Sequence, residues 1–354
     1  MNYHYQTQPN PNPLSPVFNK APEAWHMVET FGNHVIELAA PLLLLLPFNR
    51  NVVAIGGAIQ IAFQAVLISS GNLSFLNWLT MLPAIMCFDD GHMRALFPRA
   101  SLLRAEEAHR LSGTPPKTFS ARLQHIFRAL CFICLTTLVV YKSMPVIANM
   151  LSVDQSMNRA FDTWKIVNTY GAFGSITRRR VEVVLEGANE LVDAPSDGPG
   201  GINGGGGIGG TEWRQYEFKC KPGNINRPPC LISPYHYRLD WQMWFAGFQT
   251  LEANPWILHL MHGLLVQDPR AESLIAHDPF EGGPPPRYVR AVKYLYEFTS
   301  TPTERSVFGT RVAYDEEGTW WRRRFLHEFV PPFTVENQKI ANFLRSTGYL
   351  RGGD

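Results

Sequence analysis

Two cysteines, Cys220 and Cys230, stand at the ends of the loop CKPGNINRPPC in a chain that holds only five cysteines among 354 residues. The Pro, Gly and Asn residues between them favour turns that bring the two ends together. A disulfide is the expected pairing. Two free thiols are the alternative, and a metal site would need further ligands. Closing a loop of this size stabilises a fold by roughly 3 kcal/mol in the chain-entropy model. Such a bond persists in an oxidising compartment and not in the reducing cytosol, so the pair raises a question of topology.

Other residues of chemical interest carry weaker patterns. Cys131 and Cys134 spell CFIC, but they lie inside an apolar helical stretch, where a thiol is a small hydrophobe rather than a reactive thiolate. Asp89-Asp90-Gly91-His92 reads as a polar turn at a membrane border. His34 and Glu37 fall one helical turn apart in an apolar segment. Ionisable groups in such segments are costly and therefore of functional interest. His259 and His262 share a helix face without an HExxH pattern, and His236 stands alone. The chain has no GxSxG, P-loop or GxGxxG. No catalytic residue, metal site or cofactor is expected, and the chain reads as a non-enzyme.

These residues sit on a strongly divided chain. The net charge is +2, with 32 basic and 30 acidic residues, which does not point to a nucleic-acid partner. Residues 1–24 read as an extended Pro/Asn segment, and the start, MNYHYQTQPNPNPLSP, lacks the basic and apolar regions of a secretory signal. Residues 25–150 read as a multi-pass transmembrane region. Its apolar blocks are His34–Phe48, Val52–Ser69, Asn72–Phe88 and Ile126–Tyr141, giving a bundle of about four transmembrane helices. Arg94, Arg99, Arg104, Arg110, Lys117, Arg122 and Arg128 crowd one connection, whereas the turn near Ser70–Asn72 has no basic residue. The positive-inside rule then makes 89–125 a cytosolic loop and carries residues 151–354 to the lumen. Topology thus puts Cys220 and Cys230 on the oxidising side.

Residues 151–354 read as a β-rich, sandwich-like domain with a few helices, making the whole an α+β membrane protein. Trp164–Gly174, Arg180–Glu186, Trp213–Cys220, Tyr288–Thr299 and Ser306–Tyr314 are strand-like, and Asn254-Pro255 opens a helix. Residues 193–211 form a Gly-rich loop. Tyr237, Trp241, Trp244, Phe245 and Phe248 recur at helical spacing. That stripe reads as domain core, with a face that rests at the membrane interface or grips a client protein as the sharper alternative. Asn72-Leu73-Ser74 is a glycosylation sequon on the lumenal side, close to the membrane.

Several stretches resemble the lipase maturation factors. SGNLSFLNWLTMLPAIMCFDD (Ser70–Asp90) is similar to their membrane motif, and Tyr216–Leu265 (YEFKCKPGNINRPPCLISPYHYRLDWQMWF and onward) to their long lumenal signature. NTYGAFGSITRRRVEVVLEGA (Asn168–Ala188), PPPRYVRAVKYLYEF (Pro284–Phe298) and WWRRRFLHEFVPP (Trp320–Pro332) fit as well, with a spelling closer to the type-1 than the type-2 branch. The resemblance implies a multi-pass protein of the endoplasmic reticulum membrane that acts as a chaperone-like factor. Its implied clients are secreted homodimeric lipases of the lipoprotein lipase type, and its implied associates are lumenal chaperones and oxidoreductases together with membrane lipid. It also implies further N-terminal membrane passes in family members, so the sequence is expected to begin partway into the family pattern. Tyr237, Trp241, Trp244 and Phe245 are the expected client-binding residues.

Overall fold

The computed structural model describes residues 1–44, 49–112, 119–156, 159–169, 177–191, 211–299, 306–307, 310–311 and 319–349. The chain divides into two compact units, Met1–Cys87 with Thr177–Asp354, and Phe88–Ile176. The boundary therefore does not fall between a membrane half and a tail half. The first membrane helices and the β domain share one unit.

In the first unit, helix α1 (Glu23–His34) runs on through a π-helical turn (Val35–Ala39) into Ala40–Leu44. Helix α2 (Arg50–Ser70) starts where the Asn49 side chain accepts from the Asn51 N–H at 2.9 Å. This is the side-chain oxygen that an N-cap supplies. Helix α3 (Leu76–Ile85) lies against it. Gly57 of α2 permits the approach, since a Cβ there would collide with Cys87 and with the Ala84 carbonyl. Small residues at such crossings let apolar helices meet closely.

The second unit holds helix α4 (Arg99–Ser112) and helix α5 (Phe119–Met150), followed by a short pairing of Arg159–Ala160 with Asn168–Thr169. Its apolar side chains from Leu123 to Met150 are broadly exposed. Among the described residues, α2 and the Arg122–Met150 part of α5 are the two helices long and apolar enough to cross a membrane. The expected count of four is not reproduced. At 1.5 Å per residue, α3 reaches only about 15 Å, half of a hydrocarbon core. The first apolar block is the end of a helical run that begins earlier, at Glu23.

The tail of the first unit is built on one antiparallel sheet. Strands β1 (Arg180–Ala188), β2 (Arg214–Gln215), β3 (Tyr288–Phe298) and β4 (Trp321–Phe333) lie in the order β2-β1-β3-β4. Arg180 pairs with Tyr296 and Ala188 with Tyr288, so the period of two divides each strand between faces. Val183, Leu185, Val289 and Ala291 face helices α6 (Arg238–Phe248) and α7 (Trp256–Leu265), whose Met243, Ala246, Ile257, Met261 and Leu264 complete a buried core. Val184, Val292, Tyr294, Tyr296, Phe298 and Trp321 cluster on the other face. Helix α8 (Gln338–Ser346) packs on α7.

A sandwich was expected here. Among the described residues the one four-stranded sheet instead has helices on one face, because the apolar stripes of α6 and α7 cover that face. Of the other expected strands, Trp213–Cys220 contributes Arg214–Gln215 and a bridge from Glu217 to His277, and the described residues of Ser306–Tyr314 pair Ser306–Val307 with Thr310–Arg311. Most of the Gly-rich loop and the end of Trp164–Gly174 lie outside the described residues.

Residues 1–24 are not extended. They form short helical turns, His4–Thr7 and Ser15–Asn19, and bury Tyr5, Thr7, Gln8, Asn10, Asn12 and Ser15. Their polar side chains close the end of α2. Asn12 Nδ2 donates to the carbonyls of Ile68 (3.1 Å), Ser69 (2.9 Å) and Gly71 (3.3 Å), and Ser15 Oγ donates to the Ser70 carbonyl at 2.9 Å. The last carbonyls of a helix have no partner within it. Here the chain's own Asn/Ser/Gln segment supplies those partners.

Candidate functional site

The loop that carries the two cysteines lies where three parts of the first unit meet. Cys220 and Cys230 are at disulfide distance, with Cα atoms 5.3 Å apart. Asp240, in the first turn of α6, is fully buried and accepts the backbone N–H of Cys220 at 2.7 Å and of Lys221 at 2.9 Å. Burial pushes its carboxyl up, and those two N–H donors pull the other way.

Lys221 then turns beneath the sheet, where its Nζ lies 2.7 Å from Glu182 Oε2. Arg180 Nη2 holds the other oxygen of Glu182 at 2.6 Å. All three side chains are at most 1% exposed. Desolvation lowers both the Lys221 ammonium and the Arg180 guanidinium, and the Glu182 carboxylate opposes it. Arg180 also donates to the carbonyls of Gln6 (2.8 Å), Gln8 and Pro9 (2.8 Å). One buried ionic group thus ties the N-terminal segment, strand β1 and the cysteine loop together. A second pair, Glu186 with Arg290 at 2.7 Å, repeats the device two turns of the pleat further along the same face.

The segment that follows Cys230 clasps the turn between α2 and α3. Asn72 Nδ2 donates to the Ile232 and Tyr235 carbonyls, and His236 Nε2 lies 2.9 Å from the Asn72 carbonyl. A carbonyl accepts only, so His236 carries its proton on Nε2. Burial lowers the pKa of this imidazole, and the bond to the Asn72 carbonyl pulls the other way. Ser74 Oγ donates to the Pro234 carbonyl at 3.3 Å, and Trp78 Nε1 donates to Ser233 Oγ at 3.1 Å.

This geometry separates the residues expected from sequence. Asn72 is 2% exposed, and the nitrogen that would carry a glycan is bonded inside the fold. A glycan on that nitrogen is incompatible with the folded state. Trp244 is 4% exposed, its Nε1 donating to the Thr7 carbonyl at 2.9 Å, so it is an internal strut and not a surface contact. Tyr237, Trp241 and Phe245 are partly exposed, and Phe248 completes the aromatic edge at 44% exposure. The Trp241 and Phe245 rings meet edge to face at 5.6 Å. Sequence spacing grouped Trp244 with these residues but could not reveal that the N-terminal segment covers it.

Asp89 Oδ1 accepts from the His92 N–H at 2.9 Å and closes a short turn. Cys131 and Cys134 are exposed on the apolar α5. His259 stacks against Phe343 and Tyr349 at 5.6 Å and 5.0 Å and bonds Thr347 Oγ1 at 2.9 Å, pinning α8 to α7. A cleft of about 350 Å³ beside it is lined by His262, Arg270, Arg345 and Tyr349 among others. Among the described residues no group of three His, Cys, Asp or Glu is placed to hold a metal.

The lipase maturation factor transmembrane domain matches residues 1–95, and the lipase maturation factor C-terminal domain matches residues 166–331. The chain belongs to the lipase maturation factor family. It is 46% identical to human lipase maturation factor 1 over 99% of its own length and 57% of that protein. It is 45% identical to the Bos taurus protein of the same name, over 95% of this chain and 56% of that protein. Identity to lipase maturation factor 2 of Xenopus tropicalis is 25%, over 98% of this chain and 58% of that protein, so the chain stands nearer the type-1 branch. The chain spans little more than half the length of these curated relatives. No solved structure matches it. In this family frame, the cysteine loop, the clasp and the aromatic edge all fall on the C-terminal domain, while Asn72 and the N-terminal segment fall on the transmembrane domain.

Proposed function

We propose that the chain acts at the endoplasmic reticulum membrane as a chaperone-like factor for secreted lipases, helping them fold, assemble as dimers and leave in active form. The residue pattern after position 150 faces the lumen in this reading. The lumen is oxidising, which suits the Cys220–Cys230 pairing. The factor carries no catalytic chemistry of its own.

The observation that carries the reading is the mutual locking of the two family domains. Trp244, Arg180 and Asn72 bind the sheet domain to the N-terminal segment and to the end of α2. A domain so held presents its aromatic edge at the membrane, where secretory chains enter the lumen. Tyr237, Trp241 and Phe245, with Phe248, form the proposed client contact. Exposed aromatic surface of this kind covers apolar client surface that would otherwise aggregate.

The test is co-capture from mild-detergent extracts of cells that express the tagged chain with a homodimeric lipase. Trp241→Ala with Phe245→Ala is expected to lower lipase recovery while leaving the chain's thermal unfolding within a few degrees of wild type. Unchanged recovery by a folded double variant would contradict the contact.

A further inference from the structure

We propose that residues 231–235 form a lipid-contacting loop that seats the sheet domain in the interfacial zone of the bilayer beside the α2–α3 turn. This rests on the membrane assignment of residues 1–95 and not on the lipase reading. Helix α2 has 21 residues. At 1.5 Å per residue its length is about 31 Å, which matches a hydrocarbon core of about 30 Å. Its end at Ser70 therefore lies at one border of the core, and Asn72 falls among the headgroups. The Ile232, Pro234 and Tyr235 carbonyls are bonded to Asn72 or Ser74, which fixes the loop at that depth.

Three features of the loop suit that depth. Leu231 is 82% exposed and Tyr235 54%, in a loop bonded to Ser74 and Trp78, and at the start of α3 Phe75 is 55% and Trp78 46% exposed. Tyr and Trp belong at membrane–water borders, where the ring is apolar and the hydroxyl or N–H stays wet. The loop's irregular backbone is also supplied with donors by Asn72 and Ser74, as backbone must be where water is scarce. Finally, α2 and α3 themselves carry exposed apolar side chains, including Val66, Leu79 and Leu82. Lipid already covers those side chains in a membrane protein, and the same lipid surface reaches the loop.

The experiment uses the full chain with Cys87, Cys131 and Cys134 changed to Ser, Tyr235→Cys labelled with the fluorophore NBD, and reconstitution into phosphatidylcholine vesicles. Glu281→Cys, on an exposed turn of the same domain, is the reference. The expected result is a blue-shifted emission at position 235 relative to 281, with stronger quenching by a shallow lipid nitroxide than by a deep one. Emission and aqueous iodide quenching equal to those at 281 would overturn the proposal. A second probe, p-benzoylphenylalanine in place of Leu231, removes dependence on the Tyr235 variant. Irradiation is expected to give a phospholipid adduct by mass, and a protein adduct or none would overturn the proposal.

Discussion

Asn72 and His236 close on each other across 164 residues of chain, the imidazole Nε2–H donating to the Asn72 carbonyl at 2.9 Å. The Asn72 amide meanwhile donates to the carbonyls of Ile232 and Tyr235. Each residue supplies what the other segment lacks, so the turn after the membrane helix and the loop after Cys230 are satisfied only together. Leaving one buried polar group without its partner costs about 1–3 kcal/mol. Asn72→Ala is expected to destabilise by at least that much and to speed hydrogen exchange in residues 231–237. The same burial predicts that glycosidase treatment of the folded protein leaves its mobility unchanged. A mobility shift would show that Asn72 carries a glycan and that the clasp is open.

The clasp has a defined pH dependence. Burial holds the folded-state pKa of His236 below that of the unfolded chain. The unfolded chain then takes up the proton first as pH falls, so the neutral imidazole's contribution is full above about 6.5 and declines below it. Exchange in residues 231–237 is expected to accelerate between pH 7 and 5.5 in wild type. In His236→Asn the change over that range should be smaller.

The buried ionic group predicts a different scale. Removing one member of a buried pair leaves an uncompensated charge, at a cost of about 3–5 kcal/mol. Glu182→Gln strands both Arg180 and Lys221 and is expected to lie at the upper end. Arg180→Met should also release the N-terminal segment, seen as new protease cleavage within residues 1–20. Equal thermal midpoints for wild type and both variants would contradict this.

Gly247 tests the packing of α6 on the sheet. A Cβ at this position would run into the Val181 carbonyl, which belongs to strand backbone and cannot move aside cheaply. Gly247→Ala is expected to cost about 1–3 kcal/mol as an overpacked site. Gly283→Ala, where a Cβ meets only the Phe280 carbonyl at 3.5 Å, should be close to neutral. Urea unfolding of the two variants in the same detergent makes the comparison.

Much of this architecture is legible from local pattern. Arg180–Ala188 and Tyr288–Phe298 alternate visibly, and the aromatic run from Tyr237 has the period of the helix it forms. Trp321–Phe333 does not alternate, because β4 is an edge strand whose Arg322, Arg324 and neighbours face solvent, and its Pro331 and Pro332 are tolerated only at an edge. The Gln338–Ser346 helix is likewise short and polar. Residues 1–24 look unstructured because their Asn, Gln and Ser side chains are matched to carbonyls of α2, some 55 residues away. Composition cannot show such a partner. For the same reason Trp244 looks like a surface residue until Thr7 is seen against it, and Asn72 looks like an open sequon until residues 232–236 are seen around it. Cys220 and Cys230 stand at disulfide distance across a local loop, so their nearness needs no long-range partner.

A sheet domain locked to a membrane helix is proposed to serve lipase maturation. Cells lacking their own maturation factor, expressing this chain with a homodimeric lipase, test it most directly through lipase activity per unit of lipase protein. The chain is expected to raise this specific activity, and Trp241→Ala with Phe245→Ala, at equal abundance, to lose most of the gain. A chain that is folded and present in the endoplasmic reticulum membrane but leaves specific activity at the level of the empty cells would contradict it.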